Sequence, residues 1–126
     1  MGALVRKQYY FRQSTRGVLA WDIDRLVSLS ADLPRKRVPL SQITQLDEAW
    51  CGDERPTWRA LLEHVKLIDA ADLSFPIILS SSGAVMDGRH RVAKAALLGH
   101  TEIAAVQFDE DPEPDYVGRG PDELPY

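Results

Sequence analysis

The residues best suited to chemistry lie together in one short loop, which reads Asp87, Gly88, Arg89, His90 and Arg91. An Asp-Gly pair is typical of a turn, and the three residues after it stand at the predicted start of a helix. A helix start has N–H groups without a partner inside the helix, and the helix dipole favours an anion at that end. The loop therefore predicts a binding site for a phosphate or another anion.

Basic side chains are unfavourable in the first turn of a helix, because that end already carries positive charge. Their presence here indicates a functional role, in which Gly88 lets the backbone approach a ligand and His90 and Arg91 donate to it. The alternative is purely structural: Asp87 is an N-cap, His90 is solvated or lies in the core, and the arginines are simply exposed. A predicted strand before the loop and a predicted helix after it favour the functional interpretation.

Five predicted elements position this loop. They are a buried strand over 75–79, a serine-rich turn over 80–83, a strand over 84–86, a helix over 89–98 and a strand over 103–108. The first two strands predict a hairpin, and Gly99 suits the end of the helix. This order predicts an α+β domain with a small mixed β-sheet flanked by helices.

The N-terminal half gives weaker signals. Residues 4–11 are rich in β-formers and predict a first strand, after which Gly17 marks a turn. Asp22 predicts the N-cap of a helix that stops before Pro34. Pro39 indicates a strand at a sheet edge, because proline cannot donate to a β-ladder.

A longer helix is predicted from Pro56, which suits a first turn, to about Ala71. Apolar residues recur on one face at helical spacing, namely Trp58, Leu61, Leu62, Val65 and Ile68. We expect this stripe to face a core.

Length and composition predict one globular domain. The chain has 126 residues, of which 44% are hydrophobic, and it contains no long apolar run and no signal-peptide pattern. Cys51 is the only cysteine, which excludes an internal disulfide and a cysteine-rich zinc site. We expect a cytoplasmic protein with no contact to a membrane.

The charge is unevenly distributed. Seven acidic residues and one arginine give residues 109–126 a charge of −6, so the remainder carries +2 within a total of −4. We predict a single domain over 1–108 and an acidic, proline-rich tail over 109–126 that is extended or disordered. The acidic total disfavours nucleic-acid binding without excluding it.

Several segments resemble a known family. They are 77–79 (Ile-Ile-Leu), 85–96 (Val-Met-Asp-Gly-Arg-His-Arg-Val-Ala-Lys-Ala-Ala) and 38–41 (Val-Pro-Leu-Ser). Together they are similar to the ParB N-terminal/sulfiredoxin superfamily. With 21–26, 71–73 and 111–116, the resemblance is greatest to short stand-alone ParB-like proteins of unknown activity.

The resemblance implies a nucleotide site. The matching box reads Gly-Glu-Arg-Arg in ParB and Gly-Cys-His-Arg in sulfiredoxin, where it holds nucleotide phosphates, and its last two positions match His90 and Arg91. It also implies that Ser41 helps to wall the site. Arg89 replaces both the ParB glutamate and the sulfiredoxin cysteine, so neither CTP hydrolysis nor sulfinic-acid reduction is expected. A related branch phosphorylates free serine.

Other candidates are weighed against simpler roles. Asp47 and Glu48 form an acidic pair that suits a catalytic base or Mg²⁺, although a solvated loop explains them better. His64 is expected in solvent and His100 in a turn, and no histidine pair has a metal-ligand spacing, so no metal site is predicted.

We therefore expect a nucleotide- or phosphate-binding ParB-like domain, with phosphotransferase activity as an extension. The anticipated ligand is ATP, ADP or CTP with Mg²⁺, or another phosphorylated small molecule. The alternatives are a nucleic-acid-binding or nuclease-like module and a non-catalytic adaptor. A homodimer is compatible with the size of the chain.

Overall fold

A computed structural model describes residues 7–48 and 57–126. Its strands are β1 (Tyr9–Ser14), β2 (Gly17–Asp22), β3 (Lys36–Pro39), β4 (Ile77–Leu79), β5 (Val85–Asp87), β6 (Glu102–Gln107) and β7 (Tyr116–Val117). Its α-helices are α1 (Ile23–Ser30), α2 (Trp58–Ala70) and α3 (Arg89–Leu97). Short 3₁₀ turns are found at Leu40–Gln42, Thr44–Asp47 and Pro121–Glu123. The predicted α+β class is confirmed.

The strands form two sheets. One is antiparallel, with the order β1-β2-β7, and the other has the order β3-β6-β4-β5. In the second sheet β4 runs parallel to β6, and the other two pairings are antiparallel, so this sheet is mixed. The β4–β5 hairpin agrees with the sequence prediction. The strand that contains Pro39 lies at the sheet edge, where a missing N–H does least harm.

The mixed sheet is buried on both faces. Ile77 and Leu79 of β4 pack with Val92 and Ala95 of α3, whereas Ile78 points to the opposite face. That opposite face packs against a second apolar cluster from the first sheet and α1, which includes Leu19, Trp21 and Leu26. Because strand side chains alternate between faces, an uninterrupted apolar run is what a sheet between two layers requires.

The first sheet extends beyond its sequence signal. Of the strand expected over 4–11, residues 4–6 lie outside the described residues, and β1 contains 9–11 and runs further toward the turn. β2 was not predicted. Gly17 lies at the turn with a φ of 99° and pairs with Ser14. The N-cap prediction is confirmed, since the Asp22 side chain accepts a hydrogen bond from the Asp24 N–H at 2.9 Å.

Helix α2 contradicts the prediction that its apolar stripe faces a core. None of its residues is buried, and Trp58 is 82% exposed. Periodicity shows that a helix is amphipathic, but it does not supply the layer that would cover the apolar face. The predicted first-turn residue Pro56 lies outside the described residues, and Thr57 caps the helix by accepting from the Ala60 N–H.

The acidic segment 109–126 has little regular structure but packs against the first sheet. Trp21 donates its indole N–H to the Pro112 carbonyl at 2.8 Å, and Arg12 pairs with Asp111 at 2.9 Å. β7 then adds a third strand to the first sheet. The composition predicted an extended or disordered tail, whereas the carboxylates are used as specific partners of the folded part.

No helix within 7–48 or 57–126 combines the length and the apolar character needed to cross a bilayer.

Candidate functional site

Gly88 alone connects β5 to α3. Its φ of 111° lies in the left-handed region, which residues with a side chain rarely adopt. A Cβ atom at this position would lie 2.6 Å from Cγ2 of Ile77 and 2.9 Å from Nη2 of Arg91. The turn therefore requires glycine both for its backbone angle and for the space beside it.

The N-terminus of α3 has no side-chain cap from any residue that the structure describes. In contrast, α1 is capped by Asp22 and α2 by Thr57. Gly88 has no side chain with which to accept a hydrogen bond. The first-turn N–H groups of α3 therefore have no side-chain acceptor among the described residues, which is the arrangement that an anion at a helix N-terminus would use.

Asp87 and Arg91 form an ion pair across this turn. Arg91 Nη2 lies 3.0 Å from Asp87 Oδ2, and the two side chains are only 18% and 23% exposed. Arg91 Nε is buried, and no residue in the described part of the chain accepts a hydrogen bond from it. Much of the charge of Arg91 is therefore balanced within the loop, and the side chain stabilises the turn as well as facing the site.

Arg89 differs from Arg91 in its exposure and in its lack of an ion pair among the described residues. Its side chain is exposed, and it forms no ion pair with any residue of 7–48 or 57–126. It lines both cavities that flank the start of α3. Arg89 is therefore the cation of the loop that is best placed to meet a ligand from solvent.

His90 contacts a second histidine, which contradicts the expectation that His64 is solvated. His64 Nδ1 of α2 lies 3.3 Å from His90 Nε2 of α3, with the ring centroids 5.5 Å apart. Burial lowers the pKa of His90, and the nearby His64 lowers it further, against a small opposing effect of Asp87. A lowered pKa favours the neutral form of His90.

Helical spacing alone places His64 within the apolar stripe of α2. Leu61, His64 and Ile68 are spaced i, i+3 and i+7, so they share one face of α2, and all three line the same cavity. A polar residue within an apolar stripe is a candidate for a site when the stripe lines a cleft.

The smaller cavity, of about 350 Å³, lies between α2, α3 and the 3₁₀ turns. Its walls are mainly aliphatic, with Ile43, Val85 and Val92 among them, and its polar side chains include both paired histidines. Glu48 also lines it. This cavity is suited to a small ligand or to water molecules around the histidine pair.

The larger cavity, of about 810 Å³, lies on the other side of the start of α3. One part of its wall is formed by Asp87, Gly88, Arg89, His90 and Arg91. Another part is aromatic, contributed by Tyr9, Tyr10, Phe11, Phe75 and Tyr126. A ligand with a ring at one end and an anionic group at the other matches this division.

Two of the predicted site residues lie away from the cavities beside α3. Ser41 lies exposed in a 3₁₀ turn and lines neither of the two cavities beside α3, and the same is true of Asp47. Glu48 lies in the wall of the smaller cavity. The structure thus brings the five loop residues together with His64 and Glu48, and leaves Ser41 and Asp47 apart.

The basic cluster 35–37 is occupied by contacts within the fold. Arg35 donates to the Ser74 carbonyl at 3.2 Å, Lys36 bonds the Gln107 side chain, and Arg37 lies 3.7 Å from Glu102. Trp50 and Cys51 lie outside the described residues. The three basic side chains are exposed and line neither cavity beside α3, so they add nothing to the site at Arg89.

No group of three or more His, Cys, Asp or Glu side chains in the described ranges has metal-binding geometry. The comparisons with known proteins gave no match among family models, curated proteins or solved structures.

Proposed function

We propose that this chain binds a nucleotide, or another phosphorylated small molecule with an aromatic ring, and that the phosphate lies over the N-terminus of α3. The observation that carries this proposal is the uncapped start of α3 at the wall of the larger cavity, with Arg89 and His90 beside it. Backbone N–H groups, the helix dipole and a guanidinium act there on the same anion.

The aromatic wall favours a nucleotide over free phosphate. Small-molecule sites are typically concave, apolar and a few hundred to about 1,000 Å³ in volume, with few polar groups. The cavity of about 810 Å³ is within that range, and its tyrosines and phenylalanines provide ring faces on which a base can stack. The base would therefore lie toward Tyr9 and Phe75, and the phosphates toward Arg89.

The resemblance to the ParB/sulfiredoxin superfamily supports the same proposal. It relates the β4–β5 hairpin, the loop, α3 and β6 to a nucleotide-binding unit, and it suggests ATP, ADP or CTP with Mg²⁺ as ligands. Phosphoryl transfer is the reaction class that we attach to this site.

A thermal-shift screen tests the binding step. The protein is heated with ATP, ADP, CTP, GTP, phosphate or pyrophosphate, each with and without Mg²⁺. A ligand at 100 times its Kd stabilises the native state by about 2.7 kcal/mol. We expect one nucleotide to raise the Tm of the wild type, and phosphate alone to raise it less.

Arg89→Ala and Arg16→Ala form the matched pair of variants. Both remove one exposed arginine, but Arg16 lies in the β1–β2 turn and lines neither cavity. The shift should disappear in Arg89→Ala and persist in Arg16→Ala. Equal shifts in the two variants, or no shift with any ligand in the wild type, would refute the proposal.

Arg91→Ala is a less informative variant, because Arg91 is also the partner of Asp87. A loss of binding in that variant would not separate a phosphate contact from a distorted turn. Once a nucleotide is identified, ³¹P NMR of the protein with that nucleotide and Mg²⁺ tests for phosphoryl transfer to added serine or to water.

A further inference from the structure

The histidine pair has a second explanation besides a hydrogen bond. His64 Nδ1 and His90 Nε2 are 3.3 Å apart. Two imidazole nitrogens that bind one tetrahedral ion at ~2.0–2.1 Å lie about 3.3–3.4 Å from each other. The two rings therefore already present their nitrogens at the separation that a shared metal ion requires.

We propose that His64 and His90 form a binding site for a divalent transition-metal ion such as Zn²⁺, which bridges α2 and α3 at the wall of the smaller cavity. The ion would lie between Nδ1 of His64 and Nε2 of His90, in place of the direct contact between them. This proposal does not depend on nucleotide binding.

The chemistry of the pair suits such an ion. Neutral imidazole is a preferred ligand of Zn²⁺, Cu²⁺ and Ni²⁺, and binding requires the ligand to be deprotonated. His90 is half-buried, and its Nε2 faces Nδ1 of His64. Among the described residues, the wall of the same cavity contains one carboxylate, that of Glu48, and one guanidinium, that of Arg89.

The site would keep open positions. Within the described residues no third His, Cys, Asp or Glu completes a cluster with the pair, so the other positions of a tetrahedral ion are open to water or to another ligand. The cavity of about 350 Å³ beside the pair has space for such water molecules. Two protein ligands give weaker binding than a closed structural site, so the ion should exchange readily.

Two titrations of the full, untagged chain test the site. Co²⁺ is added first, because a tetrahedral Co²⁺ complex has visible absorption bands that an octahedral aqueous ion lacks. Zn²⁺ binding is then measured by calorimetry in a buffer that does not chelate metals. We expect one ion per chain, with a rise in Tm on Zn²⁺ addition.

The chain offers a matched control, since it has three histidines and the third, His100, lies exposed in the turn after α3. His64→Ala and His90→Ala should each weaken Zn²⁺ binding by about tenfold or more, whereas His100→Ala should leave it unchanged. All variants are made in a Cys51→Ser background, which removes the one thiol as a ligand. His64 is on a helix without buried residues, so His64→Ala remains decisive even if His90→Ala fails to fold.

Two results would overturn the proposal. One is a wild type that binds neither ion at 1:1 stoichiometry, which would leave the pair as a hydrogen bond only. The other is Zn²⁺ binding of equal strength in His64→Ala and His100→Ala. The nucleotide screen depends on the Arg89→Ala variant and the metal titrations on the histidine variants. The two proposals can therefore be refuted independently.

Discussion

The N-termini of α1 and α3 are built in opposite ways. α1 begins after Asp22, whose carboxylate caps the helix and pairs with Lys7 at 2.8 Å, and Asp24 adds a second negative charge in the first turn. α3 begins after Gly88, has no side-chain cap and carries Arg89, His90 and Arg91 in its first turn. α1 thus has a side-chain cap and an acidic first turn, both of which stabilise a helix N-terminus, whereas α3 has neither and carries basic residues there instead.

The difference indicates where stability has been given up for another purpose. A helix end that is capped and acidic stabilises the fold by itself. An end that is uncapped and basic does not stabilise the fold by itself. The binding of an anion would offset its positive charge and stabilise it. Departures from local stability rules are expected at functional sites. The comparison therefore separates a structural helix start from a candidate ligand-binding one, and four changes test this separation.

Gly88→Ala should have the largest effect. The alanine would have to adopt a φ of 111°, which residues with a side chain rarely do. Its Cβ atom would lie 2.6 Å from Cγ2 of Ile77, a buried core residue. Backbone strain and overpacking together should lower the free energy of unfolding by about 3 kcal/mol or more. Urea denaturation followed by circular dichroism measures this loss.

Gly83→Ala is the control for this variant. Gly83 also has a positive φ, of 93°, but no atom lies within 4 Å of a Cβ added there. It should lose only the backbone contribution, about 1 kcal/mol. If the two variants were equally destabilised, the contact with Ile77 would not matter, and the close packing of the α3 start would be of no consequence.

Asp22→Ala should have the second-largest effect. It removes the cap on the Asp24 N–H and the ion pair with Lys7, and should cost about 1–2 kcal/mol in the free energy of unfolding. Urea denaturation at neutral pH gives the value. A cost near zero would mean that α1 is held by its packing on the mixed sheet alone, and the contrast with α3 would lose its physical basis.

The pH dependence of stability sharpens the same point. The hydrogen bond from Lys7 lowers the pKa of Asp22 below its ordinary 3.8, and backbone N–H groups assist. The resulting stability is present above pH 3.8 and is lost as the pH falls through the lower pKa of the folded carboxyl. Asp22→Asn keeps a good N-cap but removes the titrating group.

The free energies of unfolding of wild type and Asp22→Asn should therefore differ most near neutral pH and converge in acid. The pKa of Asp111 is also lowered, by the Ser81 N–H and Arg12 acting against burial, but Asp111 titrates in both proteins and cancels in the difference. A difference that stays constant from neutral pH to about pH 2 would exclude the pairing with Lys7 as its source.

The sequence predicted those elements whose signals lie in residues close together in the chain. The β4–β5 hairpin, α3 and the Asp22 cap depend on turn residues, caps and short apolar runs that are close in the chain. β7 was missed because its pairing with β2 joins segments almost a hundred residues apart, and the acidic, proline-rich composition around it obscures its strand character. β2 was missed although it pairs locally with β1, because Gly17 was interpreted only as a turn and the residues after it were not assigned to a strand.

The candidate site divides in the same way. The loop from Asp87 to Arg91 was found from the sequence, because a strand–turn–helix signal and a basic cluster coincide there. Helical spacing places His64 on the apolar face of α2, but its contact with His90 was missed because it depends on how α2 packs against α3. The ion pair of Arg91 with Asp87 is likewise visible only once the turn is built.

Arg89→Glu has the smallest expected effect on stability and bears most directly on the comparison. It makes the α3 start resemble that of α1, with an acidic residue in the first turn. The helix dipole should then raise the free energy of unfolding by about 0.5 kcal/mol, while phosphate or nucleotide binding is lost. Arg16→Glu, outside any helix end, should change neither quantity.

A variant that is more stable but no longer binds would establish that Arg89 serves the ligand at the expense of the fold. Loss of stability in Arg89→Glu would instead assign Arg89 a structural role, and the opposite construction of the two helix starts would then need another cause.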